Sequence, residues 1–85
     1  MPLTADDFRN RLKDELEEAQ KAGRDVVEIR SGDLHRYLGD YPGSNHRMPV
    51  CCHVMRQEMK GADSILKQPQ HGNGANLIIR YHLPR

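Results

Sequence analysis

Two adjacent cysteines and the histidines near them are the residues of this sequence best suited to metal binding. Cys51 and Cys52 lie between His46 and His53, and His35 precedes them in the chain. Zinc prefers thiolate and imidazole ligands. The paired Cys-x-x-Cys spacings of zinc fingers and ribbons are missing, however, and neighbouring helical residues point about 100° apart. We therefore expect Cys51 to be a core residue and predict no cofactor, with a structural zinc ion as the alternative.

The same cluster could supply a thiolate–imidazole pair, in which a histidine activates a cysteine nucleophile. Cys52 with His53 or His46 has the required residue types. No third residue that would orient the histidine stands at a recognisable spacing. The glycines around Asn73 lack the strand–loop–helix setting and the lysine of a phosphate-binding loop. We therefore predict that the protein is not an enzyme.

The length and the charge of the chain limit the remaining functions. With 85 residues the chain can form one small domain, residues 1–85, but no cleft between two lobes and no doubly wound nucleotide-binding sheet. Residues 1–23 hold six acids and four bases, a net charge of −2. Residues 24–85 hold nine bases and six acids, a net charge of +3. The moderately basic second part favours an anionic partner.

Hydropathy and cysteine usage predict the compartment. No apolar run approaches the roughly 20 residues that cross a bilayer, and the N-terminus shows no signal peptide. Adjacent cysteines rarely form a disulfide, because the small ring strains the peptide between them. Free thiols are typical of the cytoplasm. We therefore expect a cytoplasmic protein without membrane contact.

The elements that must position these side chains begin with a helix and a strand. Thr4 is a good N-cap, and Gly23 is a favourable C-terminal stop. Between them the apolar residues recur at helical spacing, as an amphipathic helix requires: Phe8, Leu12, Leu16 and Ala19. Residues 24–30 then change to β-branched residues bounded by glycines, which predicts one short strand.

Two shorter helices and a hairpin follow. Ser31 is predicted to cap a second helix that ends at Gly39, and a third helix is predicted over residues 48–60, ending at Gly61. Residues 40–47 and 68–75 are rich in proline, glycine and asparagine, which predicts loops. Strands are predicted at residues 65–66 and 76–83, and apolar residues alternate in the second of them.

This order of elements indicates an α+β fold with three helices and a small three-stranded antiparallel sheet. The predicted core contains Phe8, Leu12, Leu16, Val27, Ile29, Leu34, Leu38, Cys51, Met55, Ile65, Leu77 and Ile79. Over nearly the whole chain, the order resembles the winged helix-turn-helix fold. Residues 32–59 also resemble a stretch found in small uncharacterised bacterial proteins; their sequence is GDLHRYLGDYPGSNHRMPVCCHVMRQEM. We therefore expect a prokaryotic protein.

The winged-helix resemblance implies binding of double-stranded DNA, as in a transcriptional regulator. The third helix of that fold enters the major groove, and the hairpin, or wing, contacts the adjacent backbone or minor groove. The implied DNA contacts are Asn45, His46 and Arg47 in the turn, His53, Arg56, Gln57 and Lys60 on the third helix, and Lys67, His71 and Arg80 on or behind the wing. Arginine pairs with guanine edges and glutamine with adenine edges, so Arg56 and Gln57, with Lys60, would read the groove.

Two other interpretations of these polar residues stay open. They could form an ordinary solvated helix face, or the domain could be a winged-helix module that binds a protein and no nucleic acid. For the second, residues 41–43 with Met48 and Met59 could form a modest apolar patch. A homodimer would double the number of basic contacts and strengthen the DNA interpretation. For DNA binding we expect the acids Glu58 and Asp63 to point away from the basic face.

Overall fold

The computed structural model describes residues 3–39, 47–69 and 74–84. The first helix, α1, spans Ala5–Lys21. Thr4 caps it as predicted, because its hydroxyl accepts a hydrogen bond from the Asp7 N–H at 3.3 Å and the Asp7 carboxylate accepts one from the Thr4 N–H at 2.8 Å. The four predicted apolar residues of α1 are buried. Gly23, with φ at +81°, follows the helix end in the left-handed conformation that favours glycine.

Five further elements complete the fold. They are β1 (Val26–Arg30), α2 (Ser31–Leu38), α3 (Met48–Gln57), β2 (Ser64–Lys67) and β3 (Ile78–His82). The strands form an antiparallel sheet in the order β1-β3-β2. The predicted α+β layout of three helices and a small three-stranded antiparallel sheet is therefore confirmed. Among the described residues, no helix combines the length and the apolar character needed to cross a membrane.

The central strand β3 joins the sheet to the helices. Its side chains alternate as predicted, with Ile79 and Tyr81 in the core and Ile78, Arg80 and His82 on the outer face of the sheet. The buried Tyr81 hydroxyl donates a hydrogen bond to the Met55 carbonyl at 2.8 Å. This bond fixes the sheet against the last turn of α3.

The third helix is shorter than predicted. It ends at Gln57 rather than Lys60, and Gly61 does not terminate it. Both carboxylate oxygens of Asp63 accept hydrogen bonds from backbone N–H groups, from Lys60 at 2.8 Å and from His82 at 2.7 Å. The chain after α3 is thus turned towards the sheet, and Lys60 lies on this turn and not on the helix.

The core is wider than predicted around α3. The predicted core did not include six buried residues, although Ala19 and Tyr81 follow the predicted apolar patterns of α1 and β3: Ala19, Met48, Cys52, Val54, Tyr81 and Leu83. Three residues predicted in the core are only partly buried: Val27, Leu38 and Ile65. The reason is that α3 contacts α1, α2 and β3, so most of its circumference is covered. The burial of Met48, which is 3% exposed, also removes it from the apolar surface patch proposed above.

The predicted cap of α2 is wrong. Ser31 is the first residue of the helix, Arg30 precedes it as N-cap, and no side chain makes a cap hydrogen bond. The Ser31 side chain is instead fully buried and bonds the chain just before β3. A serine before a helical pattern is a good cap only when its hydroxyl has no stronger partner elsewhere in the fold.

Candidate nucleic-acid interface

One side of α3 faces outward and carries polar residues. His53 and Gln57 are exposed and Arg56 is half-buried, whereas Cys51 and Met55 lie in the core. The spacing of three and four residues places His53, Arg56 and Gln57 on the same side of the helix. Three of the four side chains predicted to lie on the third helix are therefore brought together.

The end of α3 is tied to α1 by one arginine. Arg9 donates from Nη2 to the Gln57 Oε1 at 3.0 Å, and its Nε lies 3.6 Å from the Glu58 carboxylate. Gln57 therefore marks the α1 side of the exposed face. The Glu58 carboxylate is engaged by a cation of α1. Lys60 lies on the same side, where it lines a shallow cleft with Lys13 and Glu17 of α1.

A buried histidine fixes the start of α3. The Arg47 N–H donates to His35 Nε2 at 2.7 Å, so Nδ1 carries the proton and donates to the Gly39 carbonyl at 3.0 Å. The His35 ring is fully buried and meets the Phe8 ring edge-on at 5.0 Å. From the sequence, His35 is only a candidate metal ligand near the cysteines. Its structural role depends on Arg47, twelve residues away, and no local pattern signals it.

The N-terminal part of the predicted contact set is only partly described. The Arg47 side chain is exposed next to the first turn of α3. Asn45 and His46 lie outside the described residues, as does His71 of the predicted wing. Their assignment to DNA contacts stays a prediction.

The hairpin residues lie in two different places. Lys67 is exposed at the end of β2 and is paired in register with Ile78. Arg80 lies on the outer face of the sheet and donates from Nε and Nη2 to one oxygen of Glu28, at 3.2 and 2.9 Å. Its backbone neighbours Ile79 and Tyr81 are turned to the opposite, core face. The structure therefore does not place Arg80 on the face formed by α3.

One basic residue near the hairpin was not predicted. Arg30, at the end of β1, is paired in register with Ile78, as Lys67 is on the other side of β3. It donates to Asn76 Oδ1 at 2.6 Å, and its guanidinium lies 4.0 Å from Asp33. Only the strand register reveals that Arg30 and Lys67 flank Ile78, the first residue of β3, where the loop of the hairpin ends.

The cysteines are packing residues rather than reactive thiols. Burial raises the pKa of Cys51 to about 12, and the neighbouring Cys52 adds to the shift. Burial also raises the pKa of Cys52. The protonated thiols lie within hydrogen-bonding distance of backbone carbonyls, Cys51 with Ser31 at 3.6 Å and Cys52 with Gly74 at 3.4 Å. A protonated, buried thiol is a poor nucleophile and a poor metal ligand.

Within residues 3–39, 47–69 and 74–84, no group of three or more histidine, cysteine or acidic side chains could hold a metal ion.

Comparisons with known proteins place no further constraint on the site. No protein-family model, curated protein or solved structure gives a significant match to this chain. The arrangement of the residues themselves must therefore carry the functional assignment.

Proposed function

We propose that the chain is a winged helix-turn-helix domain that binds double-stranded DNA through α3 and the β2–β3 hairpin. The order of elements and the position of β3 between β1 and β2 support this proposal, because a wing needs β2 and β3 to be sheet neighbours. The exposed side of α3 supplies the element that would enter the major groove.

The observation that carries the proposal is that the acids nearest to α3 are engaged by other groups of the protein. Glu58 is engaged by Arg9 of α1, and Asp63 accepts two backbone N–H groups. Within the described part of the chain, no acidic side chain forms an ion pair with Arg47, His53 or Lys67. Glu58 and Asp63 lie close to Gln57 and Lys60, but other groups of the protein hold them. The exposed Arg47 and Lys67 are therefore suited to phosphate.

The proposed contacts differ in exposure and in their present hydrogen bonds. Arg56 lies on the outward side of α3 and is the best candidate for guanine, whereas Gln57 has its carbonyl oxygen bonded to Arg9 and keeps its NH₂ group for a base. Arg47 and Lys67, both exposed, would bind phosphates. Arg80 would have to give up Glu28 to do so. Asn45, His46 and His71 complete the proposed set together with His53, and Lys60 lies at its α1 edge.

A salt titration tests the proposal. Binding of a random duplex, followed by fluorescence anisotropy, should weaken as salt rises, and each phosphate contact contributes about 0.9 to the log–log slope. Arg56→Gln should weaken binding. Arg24→Gln removes the same charge from an exposed position at the opposite end of β1 from Arg30 and should leave affinity unchanged.

Two results would contradict the proposal. One is the absence of binding by the wild-type protein at low salt, and the other is binding without a salt dependence. Either result would favour the protein-interaction module instead. That second candidate now has less support, since Met48 is buried and Met59 half-buried.

A further inference from the structure

The buried serine at the start of α2 is bonded to the segment that leads into β3. The Ser31 hydroxyl donates to the Gly74 carbonyl at 2.7 Å and accepts from the Leu77 N–H at 3.2 Å. The Ser31 backbone N–H donates to the Leu77 carbonyl at 2.8 Å. One fully buried residue thus makes three hydrogen bonds to the segment that leads into β3.

Gly32, the next residue, lies in close contact with the same segment. The Gly32 N–H donates to the Ala75 carbonyl at 2.9 Å. A Cβ atom at Gly32 would lie 2.9 Å from the Ala75 oxygen and 3.0 Å from its Cβ, closer than real Cβ contacts. We call Ser31 and Gly32, with the segment 74–77 that they bind, the Ser31 junction.

The third helix is connected to this junction through its thiols. Cys51 lies 3.6 Å from the Ser31 carbonyl and Cys52 lies 3.4 Å from the Gly74 carbonyl. Arg56 follows Cys52 by one helical turn and is half-buried, so it lies where the outward side of α3 borders the buried side that carries Cys52. The Ser31 junction consequently holds segment 74–77, through which the hairpin loop enters β3, beside the part of α3 that carries Arg56.

We propose that Ser31 is a positioning residue for DNA binding, which holds the β2–β3 hairpin and α3 in one fixed arrangement. This inference rests on the proposed function. Ser31 itself is buried and touches no DNA. With the junction intact, contacts from α3 and contacts from the hairpin belong to one rigid body, so binding requires no ordering of one relative to the other. Without the Ser31 junction, the same contacts form only after segment 74–77 is ordered relative to α3.

The inference predicts a particular combination of effects for Ser31→Ala. The duplex affinity at fixed salt should fall roughly tenfold, because the buried Leu77 N–H loses its acceptor, the Gly74 carbonyl keeps only the Cys52 thiol, and segment 74–77 is loosened. The slope against salt should stay unchanged, since the bound state makes the same phosphate contacts. Lys67→Gln, by contrast, removes a proposed phosphate contact and should reduce the slope by about 0.9. Ser31→Thr keeps a hydroxyl and should restore most of the affinity.

A matched control separates positioning from general destabilisation. Ala19→Gly weakens α1 at a buried site remote from the junction and should leave the affinity at wild-type level while the protein is folded. Circular dichroism and thermal unfolding verify folding of each variant at the assay temperature. If Ser31→Ala does not fold, Cys52→Ala, which removes a buried sulfur atom and its contact to Gly74, should still lower the affinity about twofold to threefold.

The outcomes distinguish this inference from the proposed function. If wild-type protein fails to bind duplex, the proposed function is wrong and the role of Ser31 falls with it. If wild-type protein binds and a folded Ser31→Ala variant binds equally well, DNA binding stands and the positioning role is overturned. A fall in affinity that Ala19→Gly reproduces, or that is accompanied by a lower salt slope, also overturns it.

Discussion

Removal of one buried hydroxyl group, in Tyr81→Phe, should measurably loosen the attachment of α3 to the sheet. The last four carbonyls of a helix lack intrahelical partners. In α3 the Val54 carbonyl accepts from the Glu58 N–H at 3.1 Å and the Arg56 carbonyl accepts from the Met59 N–H at 3.2 Å. The Met55 carbonyl is bonded by the Tyr81 hydroxyl at 2.8 Å. The tyrosine is fully buried, so water does not reach it to replace the lost bond.

The expected magnitude follows from this environment. A buried carbonyl that loses its partner costs about 1–3 kcal/mol of unfolding free energy. For a domain of this size, each 1 kcal/mol lowers Tm by about 4–8 °C. We therefore expect Tyr81→Phe to lower Tm by at least about 4 °C. The ring itself is retained, so the change in packing is small.

Chemical denaturation followed by circular dichroism measures this free energy, and a second tyrosine provides the control. Tyr37 is 66% exposed, and its ring lies against the Arg11 guanidinium at 3.5 Å. Tyr37→Phe keeps that ring and should change the stability by less than about 0.5 kcal/mol. Equal stabilities of the two variants would refute the role assigned to the Tyr81–Met55 bond.

Two further substitutions test the packing around α3. Burial raises the pKa of Cys51 from 9.0 to about 12, so its thiolate forms more readily in the unfolded chain. The contribution of the protonated Cys51 thiol to the free energy of unfolding is therefore fully present below about pH 9 and is lost as the pH rises towards 12. Unfolding of wild-type protein across that range should show a steeper loss of stability than unfolding of Cys51→Ala, and parallel curves would contradict the assignment. Gly32→Ala should destabilise the protein by about 1–3 kcal/mol, because the added methyl group meets the Ala75 carbonyl at 2.9 Å. Gly61→Ala, where nothing lies within 4 Å, is the matched control and should not destabilise in the same thermal unfolding assay.

The parts of the fold that were predictable are those whose signals are local. Thr4 and Asp7 are three residues apart, and their capping box fixes the start of α1. The alternation of residues around Ile79 marks the two faces of β3 without any knowledge of its partners. Such patterns define the type and order of the elements, and the order defines the α+β layout.

The features that the sequence did not reveal depend on residues far apart in the chain. Ser31 was predicted as a cap, but its hydroxyl is bonded to Gly74, 43 residues away. Gln57 is exposed as expected, but its contact with Arg9, 48 residues away, has no local signal. Arg80, predicted on the strand behind the wing, bonds Glu28, 52 residues away, on the outer face of the sheet. Helical and strand periodicity contain no information about these contacts, because each depends on how the elements pack.

The nearly balanced charge of the chain is compatible with DNA binding because of how the acids are distributed. Asp6 and Glu15 pair with Arg9 and Arg11 within α1, at 2.7 and 2.6 Å, so much of the negative charge of that helix is offset locally. Arg9 also engages Glu58, the acid nearest in sequence to Arg56. At distances beyond a Debye length of about 8 Å, the remaining acids of α1 are largely screened at physiological salt. A duplex that approaches α3 would therefore experience the cations on that side of the molecule rather than the net charge of the whole chain.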